Sequence, residues 1–491
     1  MFSTRICEQS NRFIFCSCGG FYVCFGGVYI MDHIHFIGIG GTGLSAIAKV
    51  LLEQGYQVSG SDLQESPLFE AVKAAGGTVT LGHQAENIQG ADLIIRSSAI
   101  PEDNPEIQAA LSANIPVYKR SEFLGRLTAN KKVLAVAGSH GKTTTTSMLA
   151  WILSDMSLDP SFIVGGVVNN LNTNARAGQG KYFVIEADEY DHMFLGLKPD
   201  LAVVTNVEHD HPDIFPTEAS FVNAFQNFVK NLQPEGTLIL CGEDPGSSRL
   251  VDHINQGQTV LIYGFEKNGR DYLARNLQVN TYAGTDFDLL INSGSEPDIV
   301  HISLQIPGEH NVLNSLGAFA AADCLGLDHK EIARSLSNFK GSERRFDIRG
   351  EYQGVLIIDD YAHHPTEIRA TLAAARNAYP GRRIWAVWQP HTYSRTTTLS
   401  QAFAKSFSDA DQVLVLNVYA ARENKPSDFD ITDLIAVIDH KEVTYTPGKE
   451  QAVDLLKNKL RAGDLLLVFT AGDAIEINDQ VENFLSAQVR K

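Results

Sequence analysis

The sequence predicts an α/β protein built from three domains: a Rossmann-like first domain, a central domain like a P-loop ATPase, and a Rossmann-like C-terminal domain. Three observations support this. The 491 residues exceed the usual size of one domain. From residue 34 onwards, apolar strand-like runs alternate with amphipathic helical segments, a pattern typical of parallel sheets. Two glycine-rich turns, at 38–43 and 138–143, each follow a strand and begin a helix.

The charge and the cysteine content of the chain argue against several classes of protein. With 40 Lys and Arg residues against 58 Asp and Glu residues, the formal net charge is −18, which argues against nucleic acids and anionic membranes as partners. Four of the six cysteines lie in the first 24 residues, and only two are spread over the rest of the chain. The body of the protein is therefore no disulfide framework, and we expect a cytoplasmic location.

The first 30 residues are expected to be an extension without a role in the chemistry. Residues 13–30 carry no charge but contain four glycines, and no cleavage signature separates them from the first strand. A membrane anchor is the alternative to a misassigned translation start before Met31. The predicted domains then cover residues 31–130, 131–343 and 344–491, with a second linker around the sequence NFKGSERRFDIRG.

The sequence GSHGKT at 138–143 fits the end of a phosphate-binding P-loop. Its glycines let backbone N–H groups converge on phosphate oxygens, Lys142 would reach the β- and γ-phosphates, and Thr143 would hold Mg²⁺. Val136 stands where the full motif has its first glycine, so the loop is a shortened variant. Its place between a buried strand and a helix favours ATP as the ligand over a simple glycine turn.

Two side chains at strand ends could complete a metal site. Glu186 ends the strand YFVIE, and His211 follows the strand LAVVTNV, at the sheet edge where ligands of parallel sheets collect. A carboxylate suits Mg²⁺, and an imidazole could contribute to a softer Mn²⁺ position. The alternative for His211 is a hydrogen-bonded loop histidine. We interpret Glu189 and Asp191, just beyond the strand, as residues of a solvated turn.

The first glycine turn permits a rival hypothesis. GIGGTG at 38–43 has the spacing of a dinucleotide fingerprint, and Asp62 ends the next strand 19 residues after Gly43, where it could bind a ribose hydroxyl. An NAD-dependent oxidoreductase is therefore the alternative function. No hydride-transfer constellation follows this turn, whereas a P-loop does.

Six motifs in order connect the chain to a known family. GSHGKTTTT, EADEYD, NVEHDH, GEHNVLN, SERRFD and DDYAHHPTEI resemble the Mur ligases, from residue 31 to about the C-terminus. The resemblance implies that ATP phosphorylates the lactyl carboxylate of UDP-N-acetylmuramate and that the amine of L-alanine attacks the acyl phosphate, in peptidoglycan precursor synthesis. A ligase that recycles a murein tripeptide is the nearest alternative. An inactive scaffold is disfavoured by the intact P-loop lysine.

The resemblance also implies residue roles. Catalytic roles fall to Lys142, Glu186, His211, His363 and Asp360, and the metal ligands are Thr143, Glu186 and His211. ATP would contact Gly138, Ser139, His140, Gly141, Lys142, Thr143, Thr144, Asn311, Asn314 and Arg345. The UDP-sugar would contact Gly38, Gly40, Gly41, Gly43, Asp62, Ser97, Ser98, Asn172, Thr173 and Arg176. Helix capping is the alternative for the two asparagines of the ATP site, and a surface salt bridge is the alternative for Arg345.

The third domain is expected to present the amino acid. By the resemblance, Tyr361, His364, His391 and Arg395 line this subsite, and Arg395 pairs with the substrate carboxylate. An imidazole near neutral pH, His363, would take the proton of the amine. A metal site formed by the three histidines is an alternative. Thr392 and Thr470 depart from the family pattern, which has Arg and Gly there. A monomer and a homodimer both stay open.

Overall fold

The computed structural model describes residues 32–265, 270–292 and 297–488. The predicted extension at 1–30 lies outside these residues. No helix in the described ranges is long and apolar enough to span a membrane. Three sheets organise the chain, and the predicted α/β class is confirmed. Each predicted domain contains one sheet, and the boundaries at residues 130 and 343 stay predictions.

The first sheet has five parallel strands in the order β3-β2-β1-β4-β5. This order reverses at β1, and ligands of doubly wound sheets bind at such a switch point. The strands are β1 (His33–Ile37), β2 (Gln57–Asp62), β3 (Thr78–Leu81), β4 (Leu93–Arg96) and β5 (Val117–Lys119). The helices are α1 (Thr42–Glu53), α2 (Pro67–Ala74), α3 (Pro105–Ser112) and α4 (Arg120–Leu127), with a 3₁₀ turn at Ala85–Ile88.

The central sheet has ten strands in the order β15-β14-β13-β12-β11-β10-β6-β9-β7-β8. Its middle is parallel, and β8, β14 and β15 pair antiparallel at the edges. The strands are β6 (Lys132–Ala137), β7 (Ser161–Val168), β8 (Thr173–Arg176), β9 (Tyr182–Glu186), β10 (Leu201–Val204), β11 (Thr237–Cys241), β12 (Thr259–Phe265), β13 (Tyr272–Val279), β14 (Thr285–Ile291) and β15 (Asp298–Leu304). The helices are α5 (Lys142–Asp155), α6 (Glu218–Lys230), α7 (Pro245–Ser248), α8 (Glu309–Asp323) and α9 (His329–Ser337), with 3₁₀ turns at Tyr190–Gly196 and Arg249–His253.

The third sheet has six strands in the order β16-β17-β21-β18-β19-β20, parallel except for β16. The strands are β16 (Asp347–Tyr352), β17 (Val355–Asp360), β18 (Arg383–Trp388), β19 (Gln412–Val415), β20 (Val443–Tyr445) and β21 (Asp464–Phe469). The helices are α10 (Pro365–Ala378), α11 (Tyr393–Thr398), α12 (Ser400–Phe403), α13 (Ile431–Val437), α14 (Lys449–Lys459) and α15 (Glu476–Gln488).

The two interfaces of the central domain differ in chemistry. One apolar cluster runs from α1 and α4 of the first domain into the central sheet, and it includes Phe123, Phe183 and Phe194. Burial of such side chains contributes roughly 1.5–3 kcal/mol each. The third domain has its own two clusters, one on each face of its sheet. Charged side chains around the P-loop connect it to the central domain, among them the pairs His140–Glu367 and Asp210–Arg395.

Candidate active site

The P-loop requires its two glycines. Gly138 and Gly141 have φ values of 137° and 79°, which side chains other than glycine rarely adopt. A Cβ on Gly138 would lie 2.0 Å from Thr205 Oγ1, and one on Gly141 would lie 2.3 Å from Asn314 Oδ1. The loop therefore packs directly against β10 and α8, and α5 begins at its end with free N–H groups.

Lys142 is paired with the carboxylate of Glu189, a residue that was not predicted to belong to the site. Its Nζ donates to the carbonyls of Gly138 (2.5 Å) and Ser139 (3.1 Å) and to Glu189 Oε1 (3.0 Å). The prediction that Glu189 lies in a solvated turn is wrong, because its side chain is fully buried. Burial opposes the lysine charge, but the carboxylates of Glu189 and Asp188 raise the pKa of Lys142. An incoming phosphate would offer this ammonium group a further partner.

The turn after β9 explains the burial of Glu189. Asp191 and His192 adopt left-handed φ values of 54° and 55°, which produce a kink in the chain directly after Glu189. Burial raises the pKa of the Glu189 carboxyl, and Lys142 opposes that shift. No periodic pattern marks such a backbone reversal in the sequence.

Thr143 and Glu186 meet as predicted for two members of a metal site. Thr143 Oγ1 donates to Glu186 Oε1 at 2.9 Å, and Glu186 Oε2 accepts the Gly165 N–H at 2.6 Å. A hydroxyl and a carboxylate this close are oxygen donors of the kind that Mg²⁺ prefers, so the residues fit that ion. His211 instead stands 3.7 Å from Glu189 Oε1 and 3.7 Å from Asp210 Oδ2.

A cavity of about 280 Å³ opens beside the P-loop, between the central and third domains. Asn311 and Asn314 line it from α8. The capping alternative for these asparagines is wrong, because Gly308 is the N-cap residue and Asn311 Nδ2 donates to the Pro307 carbonyl. Arg345 lines the same cavity from the linker, with Nη2 3.5 Å from the Thr143 hydroxyl.

His140 links the P-loop to the third domain. Its Nε2 lies 3.2 Å from Glu208 Oε2, and its Nδ1 lies 3.3 Å from Glu367 Oε1. Burial disfavours the charged imidazole, but these two carboxylates raise the pKa of His140 to about 9. Burial would raise the pKa of Glu208, yet the bonded imidazole lowers it to about 2. His140 is therefore a cation between two anions, with the His364 ring 4.4 Å away.

His364 does not join the other histidines in a metal site. Its ring faces His140, whereas His363 and His391 lie with ring centroids 5.6 Å apart. Within the described ranges, His140, Glu208 and His364 are the one set of three or more His, Cys, Asp or Glu ligand atoms close enough for a metal. The two carboxylates raise the pKa of His140, which favours the protonated imidazole, so we interpret this set as an ion-pair network.

Arg395 is already paired. It is 3 % exposed, and its Nε donates to Asp210 Oδ1 at 2.8 Å. Its remaining nitrogens lie 3.1 Å from His391 Nδ1 and 3.5 Å from His211 Nδ1. In this structure Asp210 supplies a carboxylate to Arg395 from 185 residues away, and the contact of Arg395 with a substrate carboxylate stays a prediction.

Of the other predicted residues of the third domain, Asp360 and His364 are buried, and Tyr361, His363 and His391 are partly exposed. Burial, together with the charge of Arg395, holds the pKa of His363 well below its usual range, so this imidazole is neutral but does not titrate near neutral pH as predicted. Asp360 lines the cavity and accepts the Phe346 and Ala362 N–H groups, and burial raises its pKa to about 6. The Tyr361 ring packs beneath the Arg345 guanidinium.

The first glycine turn is braced by two charged residues. Asp62 Oδ2 accepts the Gly40 N–H at 2.8 Å, and Asp62 Oδ1 accepts the Leu63 N–H at 2.8 Å. Asp62 thus holds the loop rather than projecting free toward a ribose. Arg120, which sequence reasoning missed, lies over the turn: a Cβ on Gly43 would be 1.8 Å from Nη1, and Nη2 lies 3.4 Å from Asp188.

The residues predicted around the UDP-sugar lie in two places: Ser97 and Ser98 follow β4, near the first glycine turn, and Asn172 and Thr173 lie at the start of β8. Ser97 packs against Gly38, with its Cβ 3.2 Å from where a Cβ of Gly38 would stand, and Ser98 is exposed. Thr173 accepts a hydrogen bond from Lys49 of α1. Asn172 occupies the turn before β8 with φ 51°.

Arg176 does not belong to that site. Because β8 pairs antiparallel with β7, Arg176 lies opposite Phe162, at the end of the sheet away from the P-loop. There it donates to Ser154 Oγ near the end of α5.

The two departures from the family pattern have structural roles. Thr392 is the N-cap of α11, with φ 62°, and its Oγ1 accepts the Arg395 N–H. Thr470 Oγ1 donates to Gln389 Oε1 at 2.6 Å and accepts the Gly472 N–H.

Fold and site together define a three-domain α/β enzyme of the P-loop class, with a second glycine loop in its first domain. The sequence matches three models in succession: the Mur ligase family catalytic domain at 33–132, the Mur ligase middle domain at 136–322 and the Mur ligase glutamate ligase domain at 344–472. The chain belongs to the Mur ligase family. The predicted resemblance is confirmed, and the oxidoreductase alternative is wrong.

Individual relatives are similar to this chain in sequence and in structure. A UDP-N-acetylmuramate–L-alanine ligase of Desulforamulus reducens is 42% identical over 451 residues, covering 90% of this chain and 95% of the relative. The crystal structure of a UDP-N-acetylmuramate–alanine ligase from Thermotoga maritima superposes with a TM-score of 0.77 at 28% identity, over 94% of this chain and 100% of that one. A murein peptide ligase from Psychrobacter arcticus gives 0.69 at 26% identity, over 93% and 99%.

Proposed function

We propose that the protein joins L-alanine to the lactyl carboxylate of UDP-N-acetylmuramate, with ATP hydrolysed to ADP and phosphate. The activity named for the 42% identical relative supports this reaction. The observation that carries it in the structure is the Arg120–Asp188 contact, which brings the first glycine turn to the strand end that also bears Glu186. A sugar nucleotide held at one loop would then present its carboxylate to a triphosphate held at the other.

ATP is proposed to bind along the P-loop with its base in the 280 Å³ cavity. The amides of Asn311 and Asn314 could pair with a purine edge there. Mg²⁺ held by Thr143 and Glu186 would screen the charge of the phosphates, with Mn²⁺ as a substitute. Lys142 would move from the loop carbonyls onto the transferring phosphoryl group and stabilise its charge.

The acceptor step is proposed to use neutral imidazoles. His363 Nδ1 lies 3.0 Å from the Tyr361 carbonyl, which fixes the proton on Nδ1 and leaves Nε2 as an acceptor. This nitrogen could accept a hydrogen bond from the attacking amine and orient it, while the proton of the amine leaves with the departing phosphate. The amine attacks the acyl carbon, the C–N bond forms, and phosphate leaves with the electrons of the C–O bond. The acceptor subsite lies between His391, Arg395 and the strand ends of the central domain.

The test is a phosphate-release assay with ATP, Mg²⁺, UDP-N-acetylmuramate and one acceptor at a time. We expect release with L-alanine and none above background without an acceptor. Glycine, L-serine and the murein tripeptide serve as alternative acceptors. Release with the tripeptide alone would replace the proposal with the recycling reaction. Absence of ADP with every acceptor would contradict ligase activity. A cytoplasmic location and a monomeric or homodimeric state stay predictions.

A further inference from the structure

A continuous series of hydrogen-bonded polar side chains connects β1 and β2 of the first domain to α3. We call it the buried polar chain, and its members in order are His33, Ser59, His35, Glu106, Ser61 and His83. Successive members lie 2.7–3.1 Å apart. No step of the proposed reaction uses these groups, and polar side chains in a domain core carry a cost unless they are fully hydrogen-bonded.

Glu106 is the centre of the buried polar chain, and its side chain is fully buried. Its Oε2 accepts the Ser61 hydroxyl at 2.7 Å and lies 3.1 Å from His35 Nε2. Its Oε1 accepts the Gln84 N–H at 3.1 Å and Asn87 Nδ2 at 2.7 Å. Burial opposes the charge, but hydrogen bonds from His35, Asn87 and Ser61 hold the pKa of Glu106 below its usual range. A buried carboxylate satisfied in this way specifies one arrangement of its donors.

The main chain of Ser61 supports the first glycine turn. The carbonyl of Ser61 accepts the N–H groups of Gly38 at 2.8 Å and Ile39 at 3.0 Å. The next residue, Asp62, accepts the Gly40 N–H through its carboxylate. Three consecutive N–H groups of the turn are therefore bound by two residues at the end of β2. The first of these two residues is the one whose hydroxyl donates to the buried carboxylate.

A second path leads from the buried carboxylate to the same strand end. Asn87 Nδ2, which donates to Glu106, also donates to the Gly82 carbonyl at 3.0 Å. The Gly82 N–H in turn donates to the Asp62 carbonyl at 2.7 Å. Glu106 is thus connected to both residues that bind the turn, to one through a side chain and to the other through the segment after β3.

The N–H groups at the start of α1 are the ones that this arrangement leaves for a ligand. Gly41 is the N-cap of α1 and provides no side-chain cap. The first N–H groups of a helix have no partner within the helix, and they are suited to phosphate oxygens. Their direction depends on the conformation of the turn at 38–41, because α1 begins directly after it.

We infer that Glu106 positions the first glycine turn through Ser61, and that it thereby sets the affinity of the protein for the diphosphate of the UDP-sugar. The inference rests on the proposed function, because it takes the UDP-sugar as the ligand of this turn. Glu106 touches no substrate, so it is a positioning residue. Its effect should appear in the binding of one substrate and not in the chemical step.

The first experiment measures substrate binding and kinetics in Glu106→Gln. Glutamine keeps the size of the side chain but presents an NH₂ group to donors that need an acceptor. We expect the Kd for UDP-N-acetylmuramate, from calorimetric titration, to rise about tenfold. The kcat at saturating UDP-sugar and the KM for ATP should stay within about threefold of wild type. Ser61→Ala, which keeps the carboxylate and its other donors, should raise the same Kd about threefold.

Ile107→Val is the matched control for a loss of stability. Ile107 follows Glu106 on α3 and is buried in the apolar cluster of that face of the sheet. Its truncation should lower the thermal midpoint, because a buried methylene group is lost, and leave the Kd for the UDP-sugar unchanged. A rise in Kd equal to that of Glu106→Gln would assign Glu106 a purely structural role and overturn the inference.

Amide hydrogen exchange in the ligand-free protein tests the positioning without any substrate. In Glu106→Gln the segment 38–40 should exchange at least about tenfold faster than in wild type, because its N–H groups open more often. In Ile107→Val the exchange of this segment should match wild type, and β6 of the central domain should be unaffected in both variants.

The path through Ser61 is tested by combining the two substitutions. Both interrupt the same connection, so the Kd of the Glu106→Gln, Ser61→Ala double variant should rise by less than the product of the single factors. Factors that multiply would overturn the path through Ser61. An unchanged Kd or an unchanged exchange rate in Glu106→Gln would overturn the inference as a whole. If wild type did not bind the UDP-sugar, the proposed function would fail separately, and the exchange of segment 38–40 would then decide the role of Glu106.

Discussion

The two glycine loops of this protein occupy equivalent places but sit in opposite electrostatic surroundings. Each follows a parallel strand and begins a helix. The loop at 38–43 contains no ionisable side chain, and it is braced by Asp62 from β2 and covered by Arg120. The loop at 138–143 carries its own His140 and Lys142; Lys142 is paired with the buried Glu189, and His140 with the partly exposed Glu208.

The difference follows from what each loop is proposed to do. A diphosphate that is only held needs converging N–H groups and one nearby cation. A phosphoryl group that is transferred needs a cation that can move with it and oxygen ligands for a metal. Glu189 keeps Lys142 charged in a buried place, and Glu186 stands beside Thr143. The predictions below test this contrast between a holding loop and a reacting loop.

Replacement of Lys142 should have the largest effect. In Lys142→Ala, phosphate release should fall at least about 1,000-fold, because the remaining cation of the loop, His140, is held between Glu208 and Glu367 and would not replace Lys142 at the transferring phosphoryl group. The protein should also lose about 3 kcal/mol of stability, since Glu189 stays buried without its partner. The assays are phosphate release and thermal unfolding.

A double variant separates the two effects of Lys142. In Lys142→Ala with Glu189→Gln, the thermal midpoint should recover because the buried charge is gone, and the activity should stay lost. Recovery of activity in the double variant would remove Lys142 from the reaction. An unchanged thermal midpoint in the single variant would contradict the buried ion pair.

Substitution of one glycine of each loop by alanine compares how well the two loops tolerate an added Cβ atom. Gly141→Ala combines a left-handed φ with a Cβ 2.3 Å from Asn314 Oδ1, so ATP-dependent turnover should fall about 100-fold. Gly43→Ala meets only the movable end of Arg120. Its kcat should persist while the KM for UDP-N-acetylmuramate rises about tenfold, because the arginine is displaced. Equal losses of kcat in both variants would contradict the distinction between the loops.

Sequence reasoning predicted the features that depend on local pattern. Strand and helix alternation predicted three α/β units, and the glycine-rich sequences predicted the two turns that begin α1 and α5. Thr143 and Glu186 were also placed together correctly, because both lie at the carboxyl edge of neighbouring parallel strands, β6 and β9. Such positions follow from sheet direction alone.

Contacts between distant residues were not predictable in this way. Asp210 pairs with Arg395 over 185 residues, and Glu367 reaches His140 from the third domain. These pairs depend on how the domains dock, which no periodicity records. Arg176 was misplaced for a different reason: β8 runs antiparallel, and three residues at roughly 3.3 Å each carry it about 10 Å away from the loop edge.

The reacting loop should also make stability depend on pH through His140. Its folded pKa of about 9 lies above the unfolded value of 6.5, so its contribution is complete below pH 6.5 and is lost as pH rises toward 9. The full contribution is about 3 kcal/mol. The difference in thermal midpoint between wild type and His140→Gln should therefore shrink between pH 6.5 and pH 9. Glu367→Gln should weaken this dependence, since one partner is removed. A constant difference would contradict the ion pairs.

The smallest effect is expected at Asp62, where the holding loop is braced. Asn at this position keeps one oxygen acceptor but replaces the other with an NH₂ group facing an N–H of Gly40 or Leu63. Losing one charged acceptor should raise the Kd for UDP-N-acetylmuramate about threefold and lower the stability by about 1 kcal/mol.

Calorimetric titration with the substrate and with its 2′-deoxyribose analogue distinguishes the two roles of Asp62. If it braces the loop, Asp62→Asn weakens both ligands by the same factor, because the missing contact is inside the protein. If it binds the ribose, the deoxy analogue loses nothing further on mutation. Equal weakening would mean that the holding loop depends on its backbone geometry, whereas the reacting loop depends on its charges.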